Sequence, residues 1–363
     1  MKMSETKPLI GLHLYGGSGG GIAAVVRNIT SGPLVADFRF ITIAPPSDSG
    51  TFNLKTWRTV INCIKAASPD LLHISGLLSE GFVAMAGAIL SSSAPRLLGV
   101  HGFAKDALFV DPKRRGFVST LLEPLTVLLA EAVYCVSNYG ARQDVIRQFA
   151  RRNLGVIHNG VPIYPLMSSP SSQRAAFGFT DAHVVGICVS RLSRAKGLLV
   201  LAEAVDQLVH SGENRLRLLM VGDGPDRAII QRAFGANVDK QHVIFMGNRL
   251  DVHNLLELAD FFVLPSLNEN LSIAILEAME RGKPVVSTWA GGTPEVVHSG
   301  ETGILVPPND ARALAEAMAQ MVDSLELRLQ LGAAGRQRVI AHFSLEHFSN
   351  QLAIAYRDLL MQR

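Results

Sequence analysis

The stretch Asn268–Val286, NENLSIAILEAMERGKPVV, contains three glutamates, of which Glu269 and Glu277 lie eight positions apart around an apolar run. The Asn-Glu-Asn start is typical of a loop, and the run Leu271–Met279 has the composition of a buried helix. A glycine then ends the helix, and a proline starts a buried strand. Because an unpaired buried carboxylate costs several kcal/mol, two glutamates beside such a helix indicate partners for their charges.

Short apolar runs alternate with helical patterns on both sides of this stretch, from PLIGLHLY near the start to GILVPPND. Buried strands that alternate with helices predict βαβ units and parallel sheets. The segment Val161–His183 interrupts the alternation with prolines and serines and has the composition of a linker. The sequence therefore predicts an α/β protein of two doubly wound, Rossmann-like halves. Ligands are expected in a cleft, at the carboxyl ends of the strands.

The composition is that of a globular chain with a large core. Of 363 residues, 48% are hydrophobic and 18% are charged, which excludes an intrinsically disordered chain. The net charge of +3 is mild, and no basic stripe interleaved with aromatic residues is present, so nucleic-acid binding is not predicted. The cysteines, Cys63, Cys135 and Cys188, lack CxxC spacing, which favours reduced core thiols. No signal-peptide core or long apolar run occurs, and we expect a cytoplasmic protein.

A glycine-rich loop follows the first predicted strand. The stretch GGSGGGIAAVV, Gly16–Val26, contains a loose GxGxxA in Gly19, Gly21 and Ala24, which raises a dinucleotide site as a hypothesis. The second strand does not end in the acidic residue that a ribose-binding NAD site needs, which counts against that hypothesis. So many glycines indicate a close backbone approach to a ligand, or only a tight turn.

Cations and turns follow other predicted strands. Arg191 and Lys196, in VSRLSRAKGLLVL, precede a helix and suit a diphosphate, although two solvated surface charges are the simpler alternative. Gly222 belongs to a turn that is mostly architectural and leaves room for a ligand. His101 follows a strand end, where a histidine acts as an acid, base or hydrogen-bond donor or is only structural. Glu295 lies in the first turn of a short helix, where it either contacts a ligand or interacts only with the helix dipole.

Several catalytic signatures are absent from the sequence. It contains no DxD metal clamp, no HExxH and no P-loop GKS/T, and its one GxSxG match, GGSGG at Gly16–Gly20, is part of the glycine-rich loop. We therefore expect no metal site, no serine nucleophile and no cofactor.

Five strings together resemble a known family: SRLSRAKGL, VGDGP, ADFFVLPSLNENLSIAILEAMERGKPVV, GGTPEVV and TGILVPPND. In this order they look like the donor-binding half of retaining glycosyltransferases of family 4 with the GT-B fold, in which two Rossmann-like domains face each other across a cleft. Glu269 and Glu277 match that family's E-x7-E. The resemblance implies an acceptor-side domain over residues 1–165 and a nucleotide-sugar domain over 166–345. A C-terminal helix over 346–363 would pack back on the first domain.

The resemblance also implies roles for individual residues. Arg191 and Lys196 would hold the diphosphate of a nucleoside-diphosphate (NDP) sugar, and Glu277 would accept hydrogen bonds from the ribose. Glu269 would hold the hexose hydroxyls, and His101 would lie near the 6-hydroxyl. The remaining positions carried over are Gly17, Gly19, Gly20, Gly222, Asn270, Leu271 and Ser272, with Glu295 as a further candidate.

These roles answer the question that the opening stretch raises. A helix that begins near Leu271 directs its N-terminal dipole and free N–H groups at an anion. Eight residues at about 100° each leave Glu269 and Glu277 only about 80° apart around the helix axis, so both can face one cleft. Two departures from the family stand out. Asn-Leu-Ser replaces the common Gly-Phe-Gly after Glu269, and Gly102 replaces the common aspartate after His101.

The sequence thus predicts a retaining, metal-independent glycosyltransferase that moves a hexosyl group from an NDP-sugar to an acceptor hydroxyl. The acceptor would be a growing glycan, a lipid-linked saccharide or a small-molecule glycoside. The alternatives are an NDP-sugar epimerase or phosphorylase on the same fold, and a silent nucleotide-sugar-binding partner. An NAD dehydrogenase ranks last, because the ribose acid is missing.

A membrane contact is a separate hypothesis. Val110–Ala132 joins the basic cluster Lys113–Arg115 to an apolar helix, which suits peripheral docking on anionic lipids at the inner face of the membrane. The favoured alternative is a helix buried against the sheet, with the basic cluster in a solvated loop.

Overall fold

The computed structural model describes residues 7–14, 20–44, 53–106, 109, 111–166 and 171–362. The chain forms two compact units: unit 1 is Met1–Pro162 with Leu345–Arg363, and unit 2 is Ile163–Ser344. The chain thus passes between units after Pro162 and after Ser344, next to the predicted limits at 165 and 345.

Unit 1 contains a six-stranded parallel sheet in the order β2-β1-β3-β4-β5-β6. Its strands are β1 (Leu9–His13), β2 (Arg39–Ile43), β3 (Leu71–Ser75), β4 (Arg96–Val100), β5 (Ala132–Cys135) and β6 (Asn153–Val156). Most residues of β1, β3, β4 and β5 are buried, as expected for a parallel sheet covered on both faces. The order reverses direction at β1 and β3, which makes their carboxyl ends the switch point of this sheet.

Helices connect these strands. They are α1 (Gly21–Ser31), α2 (Leu54–Ala67), α3 (Ser79–Ser91), α4 (Pro112–Phe117), α5 (Glu123–Leu128), α6 (Asn138–Ala141) and α7 (Asp144–Phe149). A π-helical turn, Val118–Leu122, joins α4 to α5, and Pro33–Ala36 and Ala104–Asp106 are short 3₁₀ turns. Pro124 accounts for the π turn, because proline has no N–H to donate within a continuous α-helix.

The last helix of the chain, α17 (Leu345–Leu360), packs within unit 1. The Tyr356 hydroxyl bonds Nδ1 of the buried His73 at 2.7 Å, and the Tyr134 hydroxyl contacts Nε2 of the same ring at 3.0 Å. Burial lowers the pKa of His73 to about 3, so this imidazole is neutral at physiological pH. Arg152 and Asp358 form an ion pair nearer the end of the helix.

Unit 2 contains a second six-stranded parallel sheet, in the order β12-β11-β10-β7-β8-β9. Its strands are β7 (Val184–Val189), β8 (Leu216–Val221), β9 (Val243–Gly247), β10 (Phe261–Leu264), β11 (Val285–Thr288) and β12 (Gly303–Val306). Numbered from its own first strand, the sheet has the 3-2-1-4-5-6 order of dinucleotide-binding Rossmann folds. Its direction reverses between β7 and β10. The prediction of two doubly wound α/β halves is confirmed.

The helices of unit 2 lie before, between and after these strands. They are α8 (Ser171–Ala176), α9 (Leu198–His210), α10 (Arg227–Phe234), α11 (Ala236–Asp239), α12 (Val252–Leu258), α13 (Ile273–Glu280), α14 (Thr293–Val296), α15 (Ala311–Asp323) and α16 (Leu325–His342). A 3₁₀ turn, Arg194–Lys196, precedes α9. Within the described ranges, no helix has the length and apolar character that a bilayer crossing requires.

A buried ionic network contacts Tyr164, near the start of unit 2. The fully buried Arg281 guanidinium donates to Glu280 at 2.6 and 2.7 Å and to Glu257 at 2.7 Å. Glu280 also accepts from the backbone N–H of Tyr164 at 2.8 Å, and the Tyr164 ring packs over the guanidinium. Arg336 donates to the Tyr164 carbonyl at 2.7 Å. Each charge is paired, which offsets the cost of burying it.

Candidate active site

The switch point of unit 2 brings two loops together. Because β7 and β10 are adjacent and parallel, the segments after Val189 and after Leu264 leave the same edge of the sheet side by side. The Leu267 N–H bonds the Ala195 carbonyl at 2.9 Å, which joins the loops directly. This hydrogen bond sets the spacing between the two loops.

Gly197 permits this close approach. Its φ of +66° lies in the left-handed region, and a β-carbon there would overlap the carbonyl oxygen of Pro265. Gly197 ends the 3₁₀ turn that contains Lys196 and starts α9. The position of the lysine is consequently fixed by a backbone contact that only glycine allows.

Lys196 and Glu269 form an ion pair at this switch point. The distance from Lys196 Nζ to Glu269 Oε2 is 2.6 Å, and the two side chains are 26% and 10% exposed. The pair spans 73 positions of sequence and joins two residues that the sequence assigned to different parts of a sugar nucleotide. This contact answers part of the opening question, because the first glutamate has a cation beside it.

A second glycine turn contacts the backbone of Glu269. The Gly292 N–H donates to the Glu269 carbonyl at 2.8 Å, and a β-carbon at Gly291 would overlap the same carbonyl. This turn follows β11 and leads into α14, where Glu295 occupies the first turn, as the sequence predicts. Trp289, between β11 and the turn, is 53% exposed. The sequence analysis did not single out Trp289, because the exposure of its ring is evident only in the structure.

The helix of the opening stretch, α13, begins two residues later than expected, at Ile273. Asn270, Leu271 and Ser272 form the buried approach to it, and no side chain caps its first turn. Glu277 lies one turn into the helix and is half-buried. Glu269 and the N-terminus of α13 are therefore joined by three buried residues that leave little freedom between them.

The two arginines of the β7 loop differ in their partners. Arg194 donates from its backbone N–H to Asp226 at 2.9 Å, and its side chain contacts the same carboxylate at 3.3 Å. Arg191 is exposed, and within the described part of the chain no carboxylate pairs with it. Gly222 lies beside this loop, and a β-carbon there would overlap the Ser190 carbonyl, so the loop itself requires glycine at this position.

The remaining predicted residues belong to unit 1. Gly17 and Gly19 lie outside the described residues, and Gly20 precedes α1 with a φ of +87° and open space around it. His101 directly follows β4. Burial lowers the pKa of His101 to about 4, and its Nε2 is buried without a hydrogen-bond partner.

His13 is a site candidate that the sequence interpretation missed. It ends β1 at the switch point of unit 1, is buried, and bonds the backbone of Ser75 at the end of β3. Burial lowers the pKa of His13 to about 4, and its Nδ1 has no partner. A neutral ring with an unsatisfied buried nitrogen is costly unless a hydroxyl or N–H meets it. Its position in LIGLHLY at the end of the first strand was the available signal.

Among the residues that the structure describes, no three histidine, cysteine, aspartate or glutamate side chains converge as metal ligands. In unit 2 the candidate site consists of the Arg191–Lys196 loop, the Glu269–Glu277 segment and the turn before Glu295. Unit 1 contains a separate group of histidines.

Comparison with known families covers most of the chain. Residues 20–163 match the profile described as Glycosyltransferase Family 4, and residues 183–324 match that of Glycosyl transferases group 1. The alpha-maltose-1-phosphate synthase of Mycolicibacterium smegmatis is 33% identical in an alignment of 263 residues that covers 67% of this chain and 67% of its own. The N-acetyl-alpha-D-glucosaminyl L-malate synthase of Bacillus anthracis is 24% identical over 80% of this chain and 75% of its own.

Solved structures agree on the fold. A sucrose-phosphate synthase from Thermosynechococcus elongatus superimposes with a TM-score of 0.82 at 22% identity, covering 98% of this chain and all of its own. Anabaena HepE, solved with UDP and glucose, gives 0.79 at 20% identity and covers 97% of this chain and all of its own.

Proposed function

This chain belongs to glycosyltransferase family 4 and is a glycosyltransferase, and we propose that it transfers a hexosyl group from an NDP-sugar to an acceptor hydroxyl, with retention and without a metal ion. The observation that carries the proposal is the Lys196–Glu269 pair, 2.6 Å apart at the switch point of a Rossmann-type sheet. Open α/β sheets bind ligands at this position. The cation can bind a phosphate, and the adjacent carboxylate can accept hydrogen bonds from hydroxyl groups. The pair is therefore suited to a ligand in which a phosphate is next to a sugar.

The diphosphate binds to the cations of the β7 loop. The exposed Arg191 contributes a planar guanidinium, and Lys196 has three N–H donors, so it contacts phosphate without giving up Glu269. The uncapped first turn of α13 adds free backbone N–H groups and the positive end of its dipole. Together these groups replace the charge that a metal ion would supply.

The sugar and the ribose bind to acceptors. Glu269 receives hexose hydroxyls, with the backbone of Asn270, Leu271 and Ser272 completing the contact, and Glu277 receives the ribose hydroxyls. Carboxylates accept two or more hydrogen bonds each, which makes them suited to adjacent hydroxyl pairs. The carboxylates bind and orient the donor; neither acts as a nucleophile.

The transfer exchanges one bond at the anomeric carbon. The bond from C1 to the β-phosphate oxygen breaks, and a bond from C1 to the acceptor oxygen forms on the same face. The acceptor proton goes to the departing phosphate oxygen, so charge and protons balance. Positive charge accumulates on the ring as in other glycosyl transfers, while negative charge accumulates on the diphosphate. Preorganised contacts from Arg191 and Lys196 stabilise the diphosphate.

Unit 1 supplies the acceptor side. Burial keeps His13, His73 and His101 of this unit neutral, which suits a polyhydroxy acceptor such as a glycan, a lipid-linked saccharide or a small-molecule glycoside. The resemblance implies a role for His101 at the 6-hydroxyl of the donor sugar and a role for Gly17, Gly19 and Gly20 at the phosphate, and both roles stay predictions. The UDP and glucose bound to HepE support a nucleotide-sugar donor.

The test combines ligand binding with transfer. Thermal unfolding is recorded with UDP-, GDP- and ADP-sugars and with NADH. A ligand at about 100 times its dissociation constant should stabilise the protein by about 2.7 kcal/mol. We expect one NDP-sugar to raise the melting temperature of the wild type. Glu277→Ala should lose this shift, and Lys240→Met, at an exposed lysine of unit 2, should keep it.

Transfer is then measured with the stabilising donor and a panel of glycan, lipid-linked and small-molecule acceptors, in EDTA. A product with the anomeric configuration of the donor, formed in EDTA, is the expected result. A shift by NADH alone contradicts a nucleotide-sugar site. Stabilisation by an NDP-sugar that is instead epimerised, or consumed only with phosphate, assigns the alternative chemistry. Binding without any turnover indicates a silent partner.

A further inference from the structure

The helical segment Pro112–Leu128 of unit 1 exposes an apolar stripe. Phe117, Leu121 and Leu125 are 50%, 46% and 36% exposed, and they lie four positions apart on one side of the segment. The π turn contributes to this alignment, because a π-helical turn holds more residues than an α-helical turn. The opposite side of the segment is buried through Val118, Leu122, Glu123, Thr126 and Val127.

The basic cluster continues this stripe toward the N-terminal end. Lys113 precedes Phe117 by four positions, and Arg114 is exposed beside it. In the part of the chain that the structure describes, neither side chain forms an ion pair. The only acid of Pro112–Leu128 is Glu123, which is buried, so the exposed surface of the segment is positive.

The structure corrects the interpretation that the sequence favoured for this region. The cluster lies in the first turns of α4 rather than in a loop, because Asp111 caps the helix through the Arg114 N–H at 2.9 Å and Pro112 occupies its first turn. The segment also leaves three large apolar side chains in solvent instead of burying them all. Exposed apolar side chains in a contiguous row mark an interaction surface.

We infer that this face, Lys113, Arg114, Phe117, Leu121 and Leu125, docks unit 1 on an anionic lipid bilayer. An interfacial helix buries its apolar side chains at the boundary of headgroups and acyl chains, and its cations contact lipid phosphates. Charge complementarity selects this occupant, because a second copy would bring the same cations against themselves. The inference is independent of the donor and rests on the surface alone.

The test is cosedimentation of the full chain with vesicles of phosphatidylcholine and phosphatidylglycerol in equal parts, and with vesicles of phosphatidylcholine alone. The wild type should pellet with the anionic vesicles and stay in solution with the neutral ones. Since each basic residue near the surface contributes about fivefold to partitioning, Lys113→Glu/Arg114→Glu should lower it by about twentyfold or more. Acids are favourable in the first turn of a helix, so this variant should keep its fold.

Matched control variants distinguish an effect of this face from an effect of net charge or of overall hydrophobicity. Lys55→Glu/Arg58→Glu makes the same charge change early in α2 and should bind as the wild type does. Leu121→Gln should weaken binding, whereas Ile354→Gln, at an exposed position of α17, should not.

Several outcomes overturn the inference. The wild type could stay in solution with anionic vesicles, or Lys113→Glu/Arg114→Glu could pellet as the wild type does. A wild-type dimer without lipid that Leu121→Gln converts to a monomer would assign the face to a second copy. Donor-induced thermal shifts, recorded on the same proteins, report separately on the proposed function.

Discussion

The two parallel sheets end in opposite electrostatic environments. At the switch point of unit 2, a lysine and a glutamate form a partly exposed ion pair, and Arg191 is exposed on the same loop. At the switch point of unit 1, His13 is buried and neutral, and the pKa of His101, after β4, is likewise lowered to about 4. The same architecture thus presents ions in one unit and uncharged polar groups in the other. We expect the first to bind an anion and the second to bind hydroxyl groups.

The largest expected effect is on catalysis in unit 2. Lys196→Met removes a cation from the leaving diphosphate and should lower the transfer rate at saturating donor by about 10²–10³-fold. Lys240→Met is the control, with unchanged rates expected. His101→Asn in unit 1 should cost less, because a neutral ring donates or accepts one hydrogen bond. If His101→Asn lowers the transfer rate more than Lys196→Met does, the ion pair in unit 2 is not the main source of transition-state stabilisation.

The next effect is a difference in acid stability. Burial lowers the pKa values of His13, His73 and His101 to about 4, 3 and 4. The stability linked to them is fully present above the unfolded value near 6.5 and is lost as the pH falls toward these values. Glu123, whose pKa burial raises to about 7, has the opposite effect and offsets part of the loss. Unit 1 should therefore unfold at a higher pH than unit 2.

Each unit contains one tryptophan, which makes this difference measurable. Trp57→Phe leaves Trp289 to report on unit 2, and Trp289→Phe leaves Trp57 to report on unit 1. Emission is followed from pH 7 downward, and the Trp57 signal should change first. Coincident transitions would mean that the buried histidines do not set the acid stability of unit 1.

A smaller effect, on stability, distinguishes Gly197 in unit 2 from Gly102 in unit 1. Gly197→Ala places a β-carbon on the Pro265 carbonyl and forces alanine to a positive φ, so we expect a loss of about 2–4 kcal/mol in the free energy of unfolding. Gly102→Ala, after His101, meets nothing within 4 Å and should change stability little. Urea denaturation measures both variants. Equal losses would show that backbone crowding is not special to unit 2.

The smallest effect concerns one hydroxyl. Tyr356→Phe removes the partner of His73 Nδ1 and leaves a buried nitrogen unsatisfied, which should cost unit 1 about 1–3 kcal/mol. Tyr164→Phe in unit 2 keeps its ring over Arg281 and should cost less. Urea denaturation followed by Trp57 emission measures the first variant, and Trp289 emission the second. A Tyr356→Phe protein as stable as the wild type would mean that His73 finds another partner.

The fold could be predicted because buried parallel strands leave a strong local pattern. Runs such as LLHIS and VVGICV are apolar throughout, and the helices between them make each connection a right-handed βαβ unit. The strand order could not be read in the same way. The adjacency of β7 and β10 depends on packing across more than one βαβ unit, so the contact between Lys196 and Glu269 has no local signal.

The candidate site divides along the same line. Residues in sequence motifs, such as Glu269 and Glu277, could be named as candidates because the motifs resemble those of a known family. Gly197, Trp289 and His13 were missed because their significance arises from a close backbone contact, an exposed ring and a buried unsatisfied nitrogen. Pro124 did carry a local signal for the π turn, since a proline inside a helical pattern perturbs its hydrogen bonds.

The return of α17 to unit 1 has a consequence for biosynthesis. Domains tend to fold as they emerge from the ribosome, first domain first. Here the first domain lacks Tyr356 and the rest of its final helix until the entire second domain has been translated. Ile163–Ser344 is contiguous and needs no later segment of the chain to complete its fold. The domain that is translated first therefore cannot complete its fold until the second domain has been translated. Until then His73 lacks one of its hydrogen-bond partners.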